Sequence, residues 1–411
     1  MIYNTYQLNH GMRVIHLPSE SKVIYCGIAV KAGTRDERPG EEGLAHFCEH
    51  MSFKGTGRRS AMQIINTIEG VGGELNAFTN KEDTVFYCAI QSKHFLKAVD
   101  VLTDIVFHST YPQQEVEKER EVVCDEIESY EDSPAELIYD EIENILFDKH
   151  PLGHNILGTS RQVRQYNRED VCRFTHRHYR PENSVFFVSG NINFKTLVTR
   201  LADNSLSKDA ELPEPQDLPD KALEHAASEG REMISHRGTH QAHVIMGARS
   251  YAAEDPRRWA LYLLNNIIGG PGLNSRLNLA LRERNGLVYS VESSMVCYGD
   301  TGSWCIYFGC DQSDVRHCLR IVRHELDKLM RTPLSSHQLK KAKQQIQGQL
   351  AIACDNREQF ALDFAKNYLH SGKLRDLNDI MSHIDGLTSS TLQETATQLF
   401  DSNRITTLIY D

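Results

Sequence analysis

No run of the chain approaches the roughly 20 consecutive apolar residues that a bilayer-spanning helix requires, so a transmembrane helix is not expected. A C-x-x-C pair is also missing. The ten cysteines are scattered, mostly in apolar runs such as Tyr87-Cys88-Ala89-Ile90 and Trp304-Cys305-Ile306. That pattern disfavours a thiolate metal site or a disulfide framework, and fits reduced core residues in a reducing compartment. Basic residues are not in excess: 45 Lys and Arg stand against 56 Asp and Glu, a formal charge of −11. The balance argues against a nucleic-acid partner and is compatible with basic or neutral peptides. Residues 1–18 lack the basic head, apolar core and small-residue cleavage site of a secretory leader. They read instead as a strand, a turn at Asn9-His10-Gly11 and a second strand through Val14-Ile15. The expectation is a cytoplasmic protein (bacterial cytosol, or an organelle matrix after removal of a presequence) with no membrane partner.

What is present is 411 residues, 40% hydrophobic and 25% charged, enough for two ordinary domains with sizeable cores. A polar segment, 205–230, carries Pro213, Pro215 and Pro219 and reads as an extended connection. The stretches on either side share one layout. Apolar strands at 22–33 and 239–249 are each followed by a helical stretch, 41–54 and 256–268. A helix, a glycine-containing turn and two strands come next. In the first half, 64–69 leads to Gly70-Val71-Gly72-Gly73 and then to a strand at 84–90. In the second, 277–283 leads to Asn285-Gly286 and then to strands at 288–296 and 303–309. Long helices at 94–107 and 313–330 precede Tyr111-Pro112 and Thr332-Pro333. Each half closes on an apolar strand, 184–189 and 405–410. An internal repeat of this length predicts two homologous α+β halves, each an antiparallel-rich sheet with helices packed on it. The expected division is 1–210, a linker at 211–229, and 230–411.

The first half contains His46-Phe47-Cys48-Glu49-His50. On a helix, positions i and i+4 share a face, so His46 and His50 can meet one ion while Glu49 projects nearby. Two His ligands and an unligated carboxylate are parts of a zinc hydrolase, and the order H-x-x-E-H is the inverzincin signature. The plain alternative is a surface helix with two solvated histidines. The apolar flanks (Leu44, Ala45, Phe47, Cys48, Met51, Phe53) argue for burial, and a buried His-Glu-His cluster needs a partner. The equivalent run after Trp259 has neither His nor Glu, so a metal is expected in the first half alone.

A hydrolytic zinc takes three protein ligands and keeps one position open. The helix predicted at 113–131 is rich in Glu. Glu119 and Glu126, seven residues apart, lie on one face. A solvated acidic helix is the alternative reading of the same residues.

Taken together, these motifs resemble the pitrilysin family, in its mitochondrial processing peptidase-like branch with two homologous halves per subunit. H-x-x-E-H is followed in that family by a Glu ligand at the distance found here, 126 − 50 = 76 residues. Gly43-Leu44-Ala45, Phe53-Lys54-Gly55-Thr56, Gly72-Gly73, Asn76-Ala77-Phe78-Thr79 and His150-Pro151-Leu152-Gly153 match in order. Cys48 and Ser52 depart from the larger aliphatic residues common at their positions, and neither is a ligand position. The resemblance implies the processing peptidase/LuxS-like metalloenzyme fold, built of α/β-roll halves. It implies one Zn2+ per chain on His46, His50 and Glu126, with Glu49 as general base on water and Glu119 orienting a ligand histidine. Asn76, Ala77 and Phe78 would belong to an edge strand that pairs with extended peptide substrate. Arg282 and Tyr289 would hold substrate carbonyls and the developing oxyanion. Gly269-Gly270-Pro271-Gly272 is similar to a shortened glycine-rich loop of non-catalytic subunits, and equally to a plain turn.

The implied activity is zinc-dependent endopeptidase cleavage of extended, unfolded or presequence-like peptides inside a chamber. Two subunits are needed to enclose it. A homodimer is self-sufficient, because this chain carries both the metal motif and the Arg/Tyr pair. A heterodimer with a degenerate paralogue, or a non-catalytic scaffold of the same fold, are the alternatives. The intact motif argues against the scaffold.

Overall fold

The computed structural model describes residues 1–202 and 230–411. The expected linker at 211–229 lies outside the described residues. The chain divides into two compact units, each built on one sheet.

The first sheet contains β1 (Asn4–Gln7), β2 (Arg13–Pro18), β3 (Val23–Val30), β4 (Glu74–Thr79), β5 (Thr84–Gln91) and β6 (Ser184–Gly190), in the order β1-β2-β6-β3-β5-β4. Only the β2–β6 pair is parallel. Gly11, at a φ of 90°, sits in the turn that closes the β1–β2 hairpin. Side chains alternate across the sheet with the two-residue period of a strand. Ile28, Val30, Phe86, Cys88, Phe186 and Val188 join one core. That core also takes the helices α1 (Leu44–Ser52), α2 (Ala61–Glu69), α3 (Phe95–Phe107) and part of α4 (Gln113–Glu131). Ala29, Val85, Val185 and Phe187 point to the other face and meet Phe360, Phe364 and Ala365 of the helix Arg357–Ser371.

The second sheet repeats the plan with β7 (Glu232–Ser235), β8 (Ala242–Ser250), β9 (Val288–Cys297), β10 (Gly302–Cys310) and β11 (Thr406–Tyr410), ordered β7-β11-β8-β10-β9. Again one pair, β7–β11, is parallel. One face packs on the helices Arg258–Gly269, Val315–Arg331 and Ser389–Leu399. The other face, through Ile245, Cys305, Leu408 and Tyr410, packs on Ile138, Ile142 and Leu146 of α5 (Pro134–Leu146).

The compact units are therefore not the two sequence halves. The first comprises Met1–Ser129, the chain from His154 to the undescribed segment, and Ala353–Asp376. The second comprises Tyr130–Gly153, the chain from Gly230 to Ile352, and Leu377–Asp411. Each half lends one helix to the other half's sheet: α5 precedes residue 210 and packs on the second sheet, and Arg357–Ser371 follows residue 230 and packs on the first. The reason is physical: both sheets are apolar on both faces, and each buried Phe or Leu contributes about 1.5–3 kcal/mol when covered. An amphipathic helix pattern states that a face is buried without stating against which sheet. All ten cysteines are free thiols, and most are buried.

Candidate metal centre

The motif helix α1 begins at Gly43, which holds a φ of 91°. A Cβ there would meet the Leu157 carbonyl oxygen at 2.5 Å, so glycine serves both the backbone conformation and the close approach. Gly43 has no side chain to cap the helix. Glu37 does so from outside: Oε2 accepts from Gly43 N–H at 3.0 Å and Oε1 from Ala45 N–H at 2.7 Å. His154 Nε2 lies 2.8 Å from Glu37 Oε2. Burial pushes the Glu37 carboxyl up to about 7, against the opposing pull of His154 and the two amides.

Phe47, Cys48 and Met51 bury one side of α1. His46 and His50 lie together on another, their rings 4.6 Å apart. Glu126, on α4, completes a group in which one ligand atom from each residue lies within 4.8 Å of the others. His46 Nε2 stands 3.7 Å from Glu126 Oε1, and His50 Nε2 stands 3.5 Å from Glu126 Oε2. Four ligands placed tetrahedrally about 2.1 Å from zinc are separated by about 3.4 Å. These spacings and the N2O donor set fit that ion.

The two histidines are held differently. His50 Nδ1–H donates to Glu119 Oε1 at 2.9 Å, which turns Nε2 towards Glu126. Glu119 is itself held by Lys54 Nζ at 2.6 Å. Burial would lower the His50 pKa, but the Glu119 hydrogen bond and the charges of Glu126 and Glu119 outweigh it, and the net shift is upward. Glu119 moves the opposite way: burial opposes ionisation, and His50 and Lys54 overcome it. His46 has no counterpart of the Glu119 hydrogen bond among the described residues. Its Nδ1 is buried without a hydrogen-bond partner among the described residues, and burial, reinforced by His50, pushes its pKa down to about 3. It is thus a neutral donor across the physiological range.

Glu49 is not among the three converging donors. Its Oε2 accepts from Thr79 Oγ1 at 2.5 Å, and burial raises its pKa against that hydrogen bond. Thr79 ends β4, the outermost strand of its sheet. The strand alternation sets Ala77 and Thr79 on the α1 side, and Asn76 and Phe78 on the side of the helix Arg357–Ser371. Asn76 pairs across the strands with Tyr87 and is exposed. Among the described residues, the outer backbone edge of β4 pairs with no other strand.

Arg282 and Tyr289 lie in the second unit. Arg282 is the fifth residue of a six-residue π-helical turn, Asn278–Glu283, at the place where the sequence predicts an ordinary helix. Its guanidinium carbon stands 5.6 Å from the Tyr289 ring centre, and Tyr289, on β9, is 85% exposed. Gly270 ends the helix Arg258–Gly269, so the Gly-Gly-Pro-Gly run is in part a helix terminus.

Four residues with clear contacts were not singled out from the sequence: Glu37, Lys54, Thr79 and His154. Lys54 and Thr79 lie inside matching motifs, which could have flagged them. Glu37 sits in the run Arg35-Asp36-Glu37-Arg38, which is indistinguishable from solvated surface charge.

Residues 13–160 match the model described as "Insulinase (Peptidase family M16)", and residues 165–346 match "Peptidase M16 inactive domain". The uncharacterized zinc protease YmxG of Bacillus subtilis is 32% identical over 409 residues, 98% of this chain and 97% of that protein. The uncharacterized zinc protease SCO5738 of Streptomyces coelicolor is 34% identical over 391 residues, covering 94% and 84%. The crystal structure of a protease from Helicobacter pylori superposes with a TM-score of 0.91, covering 100% of this chain and 99% of that one. At 22% identity that last likeness is one of fold.

Proposed function

The chain belongs to the insulinase family of peptidases, M16, and from that premise we propose that it is a zinc-dependent endopeptidase acting on extended or unfolded peptides. The observation that carries the reading is the separation of roles at the site. His46, His50 and Glu126 converge, while Glu49, one residue from His50, is turned to Thr79 instead.

His46, His50 and Glu126 would hold the ion. When bound, zinc supplies Lewis acidity towards the scissile carbonyl and makes water acidic enough to attack at neutral pH. Glu49 takes the proton of the attacking water on its carboxylate and returns it to the leaving amine nitrogen. Thr79 fixes one oxygen of that carboxylate and leaves the other as the basic atom. Glu119 keeps His50 in the tautomer whose Nε2 carries the lone pair. The substrate backbone pairs with the open edge of β4, which selects extended chains over folded ones.

Arg282 and Tyr289 complete the proposal. They donate to substrate carbonyls and to the oxyanion that develops as water adds. In this reading two copies of the chain enclose a chamber, and each copy's Arg282 and Tyr289 serve the other's metal centre. The decisive experiment is zinc analysis combined with cleavage of an unstructured peptide. Wild type is expected to carry one zinc per chain and to cut internally, and Glu49→Gln to keep the zinc and lose the cleavage. A wild-type protein that takes up no zinc would overturn the reading.

A further inference from the structure

We propose that Glu37 is a positioning residue of the metal centre, which together with His154 and Lys81 registers the start of α1 against the β4–β5 turn and so sets where His46, Glu49 and Thr79 meet. The inference rests on the reading of this site as a zinc peptidase centre.

Three sets of contacts converge on the start of α1. The first is the external cap. The Glu37 carboxylate, 1% exposed, spends both oxygens on the amides of Gly43 and Ala45. A buried carboxylate is tolerated only where such bonds satisfy it. The second is a closed ring of hydrogen bonds. His154 meets Glu37 through its ring and accepts from Lys81 Nζ through its carbonyl. Lys81 lies two residues beyond Thr79, and its own carbonyl accepts from Arg35 N–H at 2.8 Å. Asn80 O likewise accepts from Thr34 N–H at 3.2 Å. The segment carrying Glu37 is thus tied to the β4–β5 turn at its start and to α1 at its end. The third is a pair of glycines in backbone contact. A Cβ on Gly43 would meet Leu157 O at 2.5 Å, and a Cβ on Gly158, whose φ is 70°, would meet Glu42 O at 2.2 Å. The loop that carries His154 therefore lies directly on the start of α1.

The consequence is mechanical. A helix of nine residues has too few internal hydrogen bonds to hold its own end. Ala45 immediately precedes His46, so release of the first turn moves the ligand and, one turn on, Glu49. Thr79 lies two residues before Lys81, which the ring holds. Displacements of about 1 Å between a catalytic base and its target cost on the order of 10²-fold in rate.

The test uses the full-length zinc-loaded protein, a quenched unstructured peptide, and the variants Glu37→Gln, His154→Phe, His154→Gln and Gly158→Ala. Zinc content, kcat, KM, the visible spectrum after cobalt(II) replacement, and amide exchange at residues 43–46 in chelator-treated protein are measured. Glu37→Gln is expected to keep its zinc and its KM, to lose about 10-fold or more in kcat, to shift the cobalt spectrum, and to exchange faster at Gly43 and Ala45. His154→Phe and Gly158→Ala should follow it. His154→Gln, whose Nε2–H can still donate to Glu37, should recover most of the kcat lost in His154→Phe. Wild-type kcat, spectrum and local exchange in Glu37→Gln would overturn the proposal. Should Glu37→Gln not fold, equal kcat in His154→Phe and His154→Gln overturns it. If wild type binds no zinc or cuts no peptide, the peptidase reading fails, and exchange at residues 43–46 still decides the clamp.

Discussion

Thr79 Oγ1 donates to Glu49 Oε2 at 2.5 Å, tying the last residue of the edge strand β4 to the carboxylate of the motif helix. The bond offsets part of the burial that raises the Glu49 pKa. Thr79→Val keeps the shape and removes the donor. A base must be ionised, so activity falls as pH drops through its pKa. Without Thr79 that pKa rises further, and the acid limb of the kcat profile is expected to move to higher pH while zinc content stays constant. An unmoved limb would assign the base elsewhere.

In the proposed centre Glu119 would act on the ion through His50. Glu119→Gln removes the charge that fixes the His50 tautomer and leaves Lys54 Nζ without its anion. Zinc affinity is expected to fall about 10- to 100-fold, read by competition with a chelator, with the peptide-cleaving activity returning at saturating zinc.

Glu37 gives the metal-free protein a pH signature. Its folded pKa of about 7 lies above its ordinary 4.5. Its contribution to stability is therefore complete below about pH 4.5 and is lost as pH rises through about 7. The stability of wild type relative to Glu37→Gln is expected to decline across that window by an amount on the order of 3 kcal/mol. Urea denaturation of both proteins at pH 5 and pH 8, with chelator present, measures it. A difference independent of pH would contradict the assignment.

Phe364 tests the exchange of helices. It is fully buried against Val185 and Phe187 of the first sheet, although it lies late in the sequence. Phe364→Ala is expected to destabilise by about 3–5 kcal/mol. Faster amide exchange should appear in β3 and β6 before β8 and β10. Loss of protection confined to the second sheet would contradict this packing.

Shared sites predict complementation. Glu49→Gln and Tyr289→Phe chains are each expected to be nearly inactive. After mixing and subunit exchange, a dimer of the two carries one site with both wild-type residues, and activity should recover. No recovery in a mixture shown to exchange subunits would place Tyr289 in the service of its own chain's metal centre.

Spacing along the chain determined a good deal by itself. His46, Glu49 and His50 are brought together by one turn of helix, and apolar flanks state that the turn is buried. The repeated succession of apolar runs predicts two sheets built on one plan, and their strand order is seen only in the fold. Glu126 was legible only as one of several glutamates on a helix face, and its singling out came from resemblance. Tertiary structure decided the rest. Helix periodicity records that a face is buried but carries no address, so only the fold assigns α5 to the second sheet and Arg357–Ser371 to the first. Likewise Glu37, Lys54, Thr79 and His154 act through hydrogen bonds to groups up to 117 residues away, and such bonds depend on positions in space that no local period encodes.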